Sequence, residues 1–303
     1  MNTPNAEQLR VVANIPVGAK PIGVAVGLSD VYVTNSGEDT VSVIDPSTNG
    51  VSATINVGLR PEGVATDPQF GICVSNGGDN TVSMIDRSNA VIATVSVQDL
   101  FTPPPGMMRV AVDHFLSRAY VTHRGSGRVS IINLSDEVFF AFPFIDVLGP
   151  LGVAVDPASH RVYVTQPEFN AVSVIDPEPN GVIATIPVGQ QPIGIAVDAL
   201  RRRAYVANSG FNIVSLIDID THNVADIDVA TGSTGATVDS RGNAYVTQFD
   251  GTVKVIDATS GSVSATIPVG SQPAGLALKP DIGRLYVANS GDGTVSVIDL
   301  AGG

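Results

Sequence analysis

Thr40-Val41-Ser42-Val43-Ile44-Asp45 and, far downstream, Thr294-Val295-Ser296-Val297-Ile298-Asp299 are the same six residues, and each follows a Tyr-Val-Thr/Ala-Asn tetrapeptide, Tyr32–Asn35 and Tyr286–Asn289. Variants of this pair fill the chain between them. The closing position of the six-residue phrase falls at Asp45, Asp86, Asn133, Asp176, Asp218, Asp257 and Asp299, at intervals of 39 to 47 residues. A repeat of that length, broken into four short strand-like runs, is the pattern of a β-propeller blade. Seven copies predict an all-β, seven-bladed β-propeller of four-stranded antiparallel blades, one domain over residues 1–303.

Within a repeat the text runs from Pro-x-Gly through an apolar run, a turn, the tetrapeptide, a loop, the six-residue phrase, a second turn and a strand ending in Pro-Val-Gly. In the second repeat the strands, named A to D from axis to rim, are expected at Glu62–Asp67, Ile72–Asn76, Thr81–Asp86 and Val91–Val97. Turns such as Ser47-Thr48-Asn49-Gly50 and Pro179-Asn180-Gly181 join C to D, with Asn-Gly supplying positive φ angles. The last repeat stops after strand C, at Asp299, whereas Val11–Gly18 (VVANIPVG) matches the strand D text Val182–Gly189 (VIATIPVG). The N-terminal strand is therefore expected to complete the last blade, a closure that removes open sheet edges.

Hydrophobic residues make up 44% of the chain with no Trp, as suits strands packed with Val, Ile and Ala. The 31 Gly and 20 Pro fit a fold that turns every few residues. A net charge of -13 argues against binding a phosphate backbone, which needs a basic face. Cys73 is alone, so no intrachain disulfide can form, and its alignment with the Tyr of the tetrapeptide makes it a packed strand residue. Met1 to Arg10 are polar and no run reaches membrane-spanning length. These features predict a soluble cytoplasmic protein with neither nucleic acid nor membrane as partner.

The tetrapeptides Tyr32-Val33-Thr34-Asn35, Tyr120-Val121-Thr122-His123, Tyr163-Val164-Thr165-Gln166, Tyr205-Val206-Ala207-Asn208, Tyr245-Val246-Thr247-Gln248 and Tyr286-Val287-Ala288-Asn289 resemble the YVTN family of β-propellers. The resemblance covers nearly the whole chain and implies the fold. Its functional implication is broad, since proteins similar to this family include surface-layer components, binding modules and relatives of lactonases and streptogramin lyases. No metal-and-histidine pattern is present onto which the lyases' catalytic residues could be carried.

Function must then lie where the repeats disagree. By analogy with other propellers, the D-to-A and B-to-C loops gather on one face around the axis. Of the four histidines only His123 falls on that face; His114 and His160 lie in A-to-B turns and His222 in a C-to-D turn. His123 stands where other blades carry Asn35, Asn76, Asn208 and Asn289, so it either caps the following loop or moves protons. Arg109 replaces the glycine that strand A carries at Gly23, Gly63, Gly152, Gly194, Gly235 and Gly275. It is either half of a salt bridge, with Glu62 or Asp99, or an anion anchor.

The loop before Arg109 is six residues longer than its counterpart in the second blade and reads Gln98 to Met108, with three prolines. Phe101, Met107 and Met108 give it apolar surface, as a lid or pocket wall would have. Phe169, Phe211 and Phe249 form an aromatic arc on the B-to-C loops of blades four to six, beside Gln166, Glu168, Asn208 and Gln248. The repeated aspartates Asp45, Asp176 and Asp257 read as turn caps, Asp39, Asp79 and Asp292 as turn formers, and Arg201-Arg202-Arg203 as a solvated run. Strand D of blade three, Val138 to Ile145, carries four Phe and suggests a homodimer contact.

The leading expectation is a small-molecule enzyme of the lyase, cyclase or isomerase kind, working without a cofactor or a metal in the central pocket. His123, Arg109 and Arg124 would carry the chemistry. Arg60, Glu62, Phe101, Met107, Met108, Gln166, Glu168, Phe169, Asn208, Phe211, Gln248 and Phe249 would bind a partly apolar substrate bearing an anionic or carbonyl group. The alternative is a non-catalytic propeller that binds a ligand or a protein. A deep cavity favours the first and a flat face the second.

Overall fold

The computed structural model describes residues 9–97, 106–135, 139 and 141–300, with the side chain of residue 142 excepted. Seven four-stranded antiparallel sheets are arranged as the blades of a propeller, each strand paired with its sequence neighbour. In blade two the strands are Pro61–Asp67, Gly71–Asn76, Thr81–Ile85 and Val91–Ser96, within a residue or two of the expected bounds. The last blade breaks chain order, as the repeat predicts: Arg10–Pro16 pairs antiparallel with Thr294–Asp299, Ile15 opposite Val295.

The apolar core is not inside any blade but between blades. Each of the seven buried clusters combines residues of two neighbours; Val172, Val174 and Ile186 of blade four, for example, pack with Ile195, Val206 and Ile217 of blade five. Cys73, fully buried between blades two and three, is one such packing residue, and burial pushes its thiol pKa up.

The tetrapeptide acquires a division of labour here. Its Tyr and Val are core residues, and its Thr fastens the axis. The Thr165 hydroxyl accepts from the Gly152 N–H of its own strand A at 2.7 Å and donates to the Ile193 carbonyl of the next blade at 3.0 Å. Thr34, Ser75, Thr122 and Thr247 make the same two-way connection at their own seams. Its Asn reaches strand C: Asn35 Nδ2 donates to Thr40 and Ser42 hydroxyls at 3.0 and 2.9 Å. Asn208 likewise donates to the Ile213 carbonyl and the Ser215 hydroxyl, both in strand C, so these amides grip the strand rather than the backbone of the following loop that the sequence suggested.

Two local expectations are refined. In the C-to-D turns positive φ is carried by Asn49 and Asn180 and not by the glycines after them; Asp45 Oδ1 braces the first turn by accepting from the Ser47 N–H and hydroxyl. The Arg201 to Arg203 run is a set of staples. Arg202 joins Asp156 of blade four to Asp220 of its own blade at 2.7 and 2.8 Å, and Arg203 donates to the Ala258 carbonyl of blade six. Arg118 and Arg284, at the same strand B position as Arg203, reach the Pro177 and Pro46 carbonyls of the following blades.

The blade-three rim strand spans Ala141–Asp146. Phe139 packs edge-on against Phe70 at 5.1 Å and joins the core between blades two and three, while Phe144 carries the Arg128 guanidinium over its ring at 3.9 Å. Phe140 lies outside the described residues.

Two outcomes follow from the closure and the seam. Deleting residues 1–18 leaves strand C of the last blade as an unpaired edge, so the truncated chain should lose its cooperative thermal transition and aggregate; an unchanged transition would contradict ring closure by this strand. Thr165→Val keeps the shape but strands a buried N–H and carbonyl, and should lower unfolding free energy in urea by roughly 1–3 kcal/mol.

Candidate functional site

Six of the seven inner strands turn a glycine toward the next blade. A Cβ on Gly23, Gly63, Gly152, Gly194, Gly235 or Gly275 would come within 3.0 Å of the neighbouring strand A backbone. That close approach narrows the ring and leaves an axial channel of about 520 Å³. Its walls are the residues flanking those glycines, mainly apolar: Ile22, Val64, Val110, Ile193, Ile195 and Leu276 among them. Among the described residues Arg109 and Glu62 are the charged ones on the lining, and Met107, Phe249, Gln272 and Ser290 stand toward the loop face.

Arg109 finds Glu62, the structural partner the sequence allowed. Its Nη1 lies 2.9 Å from Glu62 Oε2 and donates to the Met108 carbonyl at 2.9 Å. Glu62 is 4% exposed. A carboxylate so buried is tolerable only when it is paired and hydrogen-bonded, and Glu62 also accepts from the Met108 N–H at 3.0 Å and pairs with Arg60 Nε at 3.1 Å. Arg60 is fixed in turn by the Gly77 and Gly106 carbonyls. Two guanidinium groups thus share one carboxylate at one side of the channel, leaving a net positive charge there in an otherwise acidic chain.

Arg60, nominated from the sequence, belongs to a set whose other members sequence reasoning missed. Lys20, Arg60, Gln191 and Gln272, each just before the proline that opens strand A, all adopt left-handed φ between 49° and 51°. Such a conformation costs a non-glycine residue roughly 1 kcal/mol. Asp39 Oδ1 accepts the Arg60 N–H at 2.7 Å and Asn170 Oδ1 the Gln191 N–H at 3.0 Å, so B-to-C loops hold the strained residues in place. Asp39 is therefore a brace for the neighbouring loop, beyond the local turn former the sequence suggested. A polar residue before Pro-x-Gly was the available signal.

The remaining nominated residues divide sharply. Met107 lines the channel, and Phe249 is the one member of the aromatic arc that does, although all three arc residues, Phe169, Phe211 and Phe249, are more than half exposed. Met108 is a core residue, 1% exposed. Arg124 pairs with Glu168 across blades three and four at 3.3 Å and lies 3.5 Å from Met107 Sδ, so it supports the channel wall from outside. Gln166, Asn208 and Gln248 are buried with their amides engaged inside the fold, Gln166 with Leu148 and Ser173, Gln248 with Thr231 and Ser233. None of these three lines the channel. Phe101, with the insert from Gln98 to Pro105, lies outside the described residues.

His123 closes strand B of blade three, paired with Met108 and Arg128, and is not among the channel-lining residues. Its Nε2 is buried with no hydrogen-bond partner among the described residues, and burial pulls its pKa down to about 4. The blades that carry Asn here carry Gly in the preceding loop, where a Cβ on Gly18, Gly58, Gly189 or Gly270 would touch that Asn. Blade three has Gln98 at the corresponding place in sequence. The larger ring of His123 therefore accompanies a changed loop.

No family model matches the chain. PE-PGRS family protein PE_PGRS18 of Mycobacterium tuberculosis is 53% identical over 53 residues, 17% of this chain, and the match spans only 12% of that protein's length. Among solved structures the chain is similar to a streptogramin B lyase, with a TM-score of 0.81 at 12% identity over 99% of both chains. It is also similar to hydrazine synthase of Kuenenia stuttgartiensis, with a TM-score of 0.78 at 19% identity over 93% of this chain and 96% of that one. At such identities the likeness is one of fold.

The lowered pKa of His123 has a testable sign. Between pH 6.5 and about 4 the unfolded chain takes up a proton that the folded chain refuses, so this contribution is present above pH 6.5 and is lost as pH falls to 4. The loss is on the order of 3 kcal/mol. His123→Asn, which restores the residue of the other blades, should flatten the stability profile over that interval; equal slopes in urea titrations of both proteins would contradict the assignment.

Proposed function

We propose that this propeller binds a small, partly apolar organic anion in its axial channel. The observation that carries the reading is the shared carboxylate: Arg109 stands in the channel wall where six blades have glycine, and the Glu62 that holds it is itself held by a second arginine. A cavity of about 520 Å³, apolar along most of its wall with a few polar groups at one end, suits a small molecule rather than a protein surface. The family resemblance to YVTN propellers, whose relatives include binding modules and enzymes, is compatible with this reading, as is the fold shared with a streptogramin B lyase.

Binding is better supported than catalysis. Lyase, cyclase or isomerase chemistry needs a proton-carrying group at the ligand. His123 is buried away from the lining and neutral down to about pH 4, and Glu62 is the single carboxylate lining the channel among the described residues. On this reading Arg109 anchors the anion, Arg60 and Glu62 hold Arg109 in place, and Phe249, Met107 and Leu276 meet the apolar body of the ligand.

A fluorescent probe of the required character, 8-anilinonaphthalene-1-sulfonate, tests this directly. It should bind the folded protein saturably, lose at least 10-fold in affinity in Arg109→Ala, and lose binding in Ala274→Trp, which fills the channel from the opposite wall. Unaltered binding in both variants would place the probe elsewhere and remove the proposal.

A further inference from the structure

We infer that Glu62 sets the charge of the ligand, making the channel selective for monoanions such as carboxylates over dianions such as phosphate monoesters; the inference rests on the binding reading above. The site contains two arginines and one carboxylate in mutual contact, Glu62 lying 3.1 Å from Arg60 and 2.9 Å from Arg109. Those three groups sum to a single positive charge; the Asp39 carboxylate meets the main-chain N–H of Arg60 and is not on the channel lining. Arg124 adds nothing to that charge, being paired with Glu168, and Lys20 lines an adjoining depression, which shares Gln272 and Ser290 with the channel, and not the channel wall itself.

The guanidinium of Arg109 is half used. Nη1 is taken by Glu62 and the Met108 carbonyl, while among the described residues Nε and Nη2 have no protein partner. Those two N–H groups form one edge of the planar fork, spaced for the two oxygens of one carboxylate or sulfonate. A monoanion seated there neutralises the site. A dianion would leave an uncompensated charge beside Glu62, itself almost wholly buried, and an unpaired charge in such surroundings is strongly disfavoured. A neutral ligand would leave the residual positive charge unanswered. Glu62 therefore does two things: it fixes Arg109 against the wall, and it cancels one of the two positive charges.

Displacement of 8-anilinonaphthalene-1-sulfonate at pH 8 by benzoate, phenyl phosphate and benzyl alcohol reads the selectivity. These three carry one aromatic ring with one, two and no negative charges. In the wild type benzoate should compete at least 10-fold better than either of the others. Glu62→Gln raises the site charge by one and should reverse the order of benzoate and phenyl phosphate. Arg60→Gln, at a half-exposed residue whose loss the fold tolerates more readily, lowers the charge by one and should bring benzoate down to the level of benzyl alcohol.

If Glu62→Gln does not fold, the Arg60→Gln result decides alone. Phenyl phosphate competing as well as benzoate in the wild type, or an order that neither substitution changes, overturns the inference. Should that happen while Ala274→Trp still abolishes probe binding, the channel remains a binding site and only the charge selectivity falls. Probe binding indifferent to Ala274→Trp instead removes the binding reading itself.

Discussion

The hydroxyl at the third position of the tetrapeptide is the contact on which the ring depends. Thr165, accepting from its own strand A and donating to the strand A carbonyl of the next blade, ties two blades at the point where they come closest to the axis. The glycine beside it permits that approach, because any side chain would collide with the neighbouring backbone. Blades five and seven carry Ala207 and Ala288 at this position and rely on buried apolar packing, fully buried alanines included. Hydroxyl and glycine together fix the width of the channel, and so what can enter it.

Blade three keeps the hydroxyl but abandons the glycine. Thr122 still accepts from the Arg109 N–H and donates to Leu151, so the seam survives while the side chain beyond it becomes a guanidinium. The cation is tolerated because Glu62, one residue before the glycine of blade two, supplies a carboxylate within 2.9 Å. Neither residue makes sense alone, since a buried carboxylate without its arginines would be an uncompensated charge. Two adjacent blades have departed from the repeat together, and the departure lies on the channel wall.

The blades and their order were legible in the sequence because the repeat states each strand and its turns seven times. Ring closure was legible too, since Val11–Gly18 repeats the text of a strand that the last blade lacks. At the site the anomaly of Arg109 could be read because it breaks a periodic rule, and Glu62 was one of two partners the sequence offered for it. Gln166, Asn208 and Gln248 could not be judged from loop position alone. Their amides turn inward to strand C hydroxyls, neighbouring loops and the end of strand A, a choice set by side-chain direction at the strand end rather than by residue type. His123 was misleading for the same reason: on the correct face by topology, it is nevertheless folded into the blade. Lys20, Gln191 and Gln272, the residues before the strand A prolines, escaped notice because their left-handed backbone is unusual for these residue types.

The account stands or falls on whether an anion meets Arg109 inside the channel. A crystal soaked with 8-anilinonaphthalene-1-sulfonate and examined by difference density gives the answer in atoms. The sulfonate should lie in hydrogen-bond range of Arg109 Nε and Nη2, with the fused rings against Leu276 and Phe249. Density for the probe on the rim or the opposite face, with the channel holding solvent alone, would contradict it.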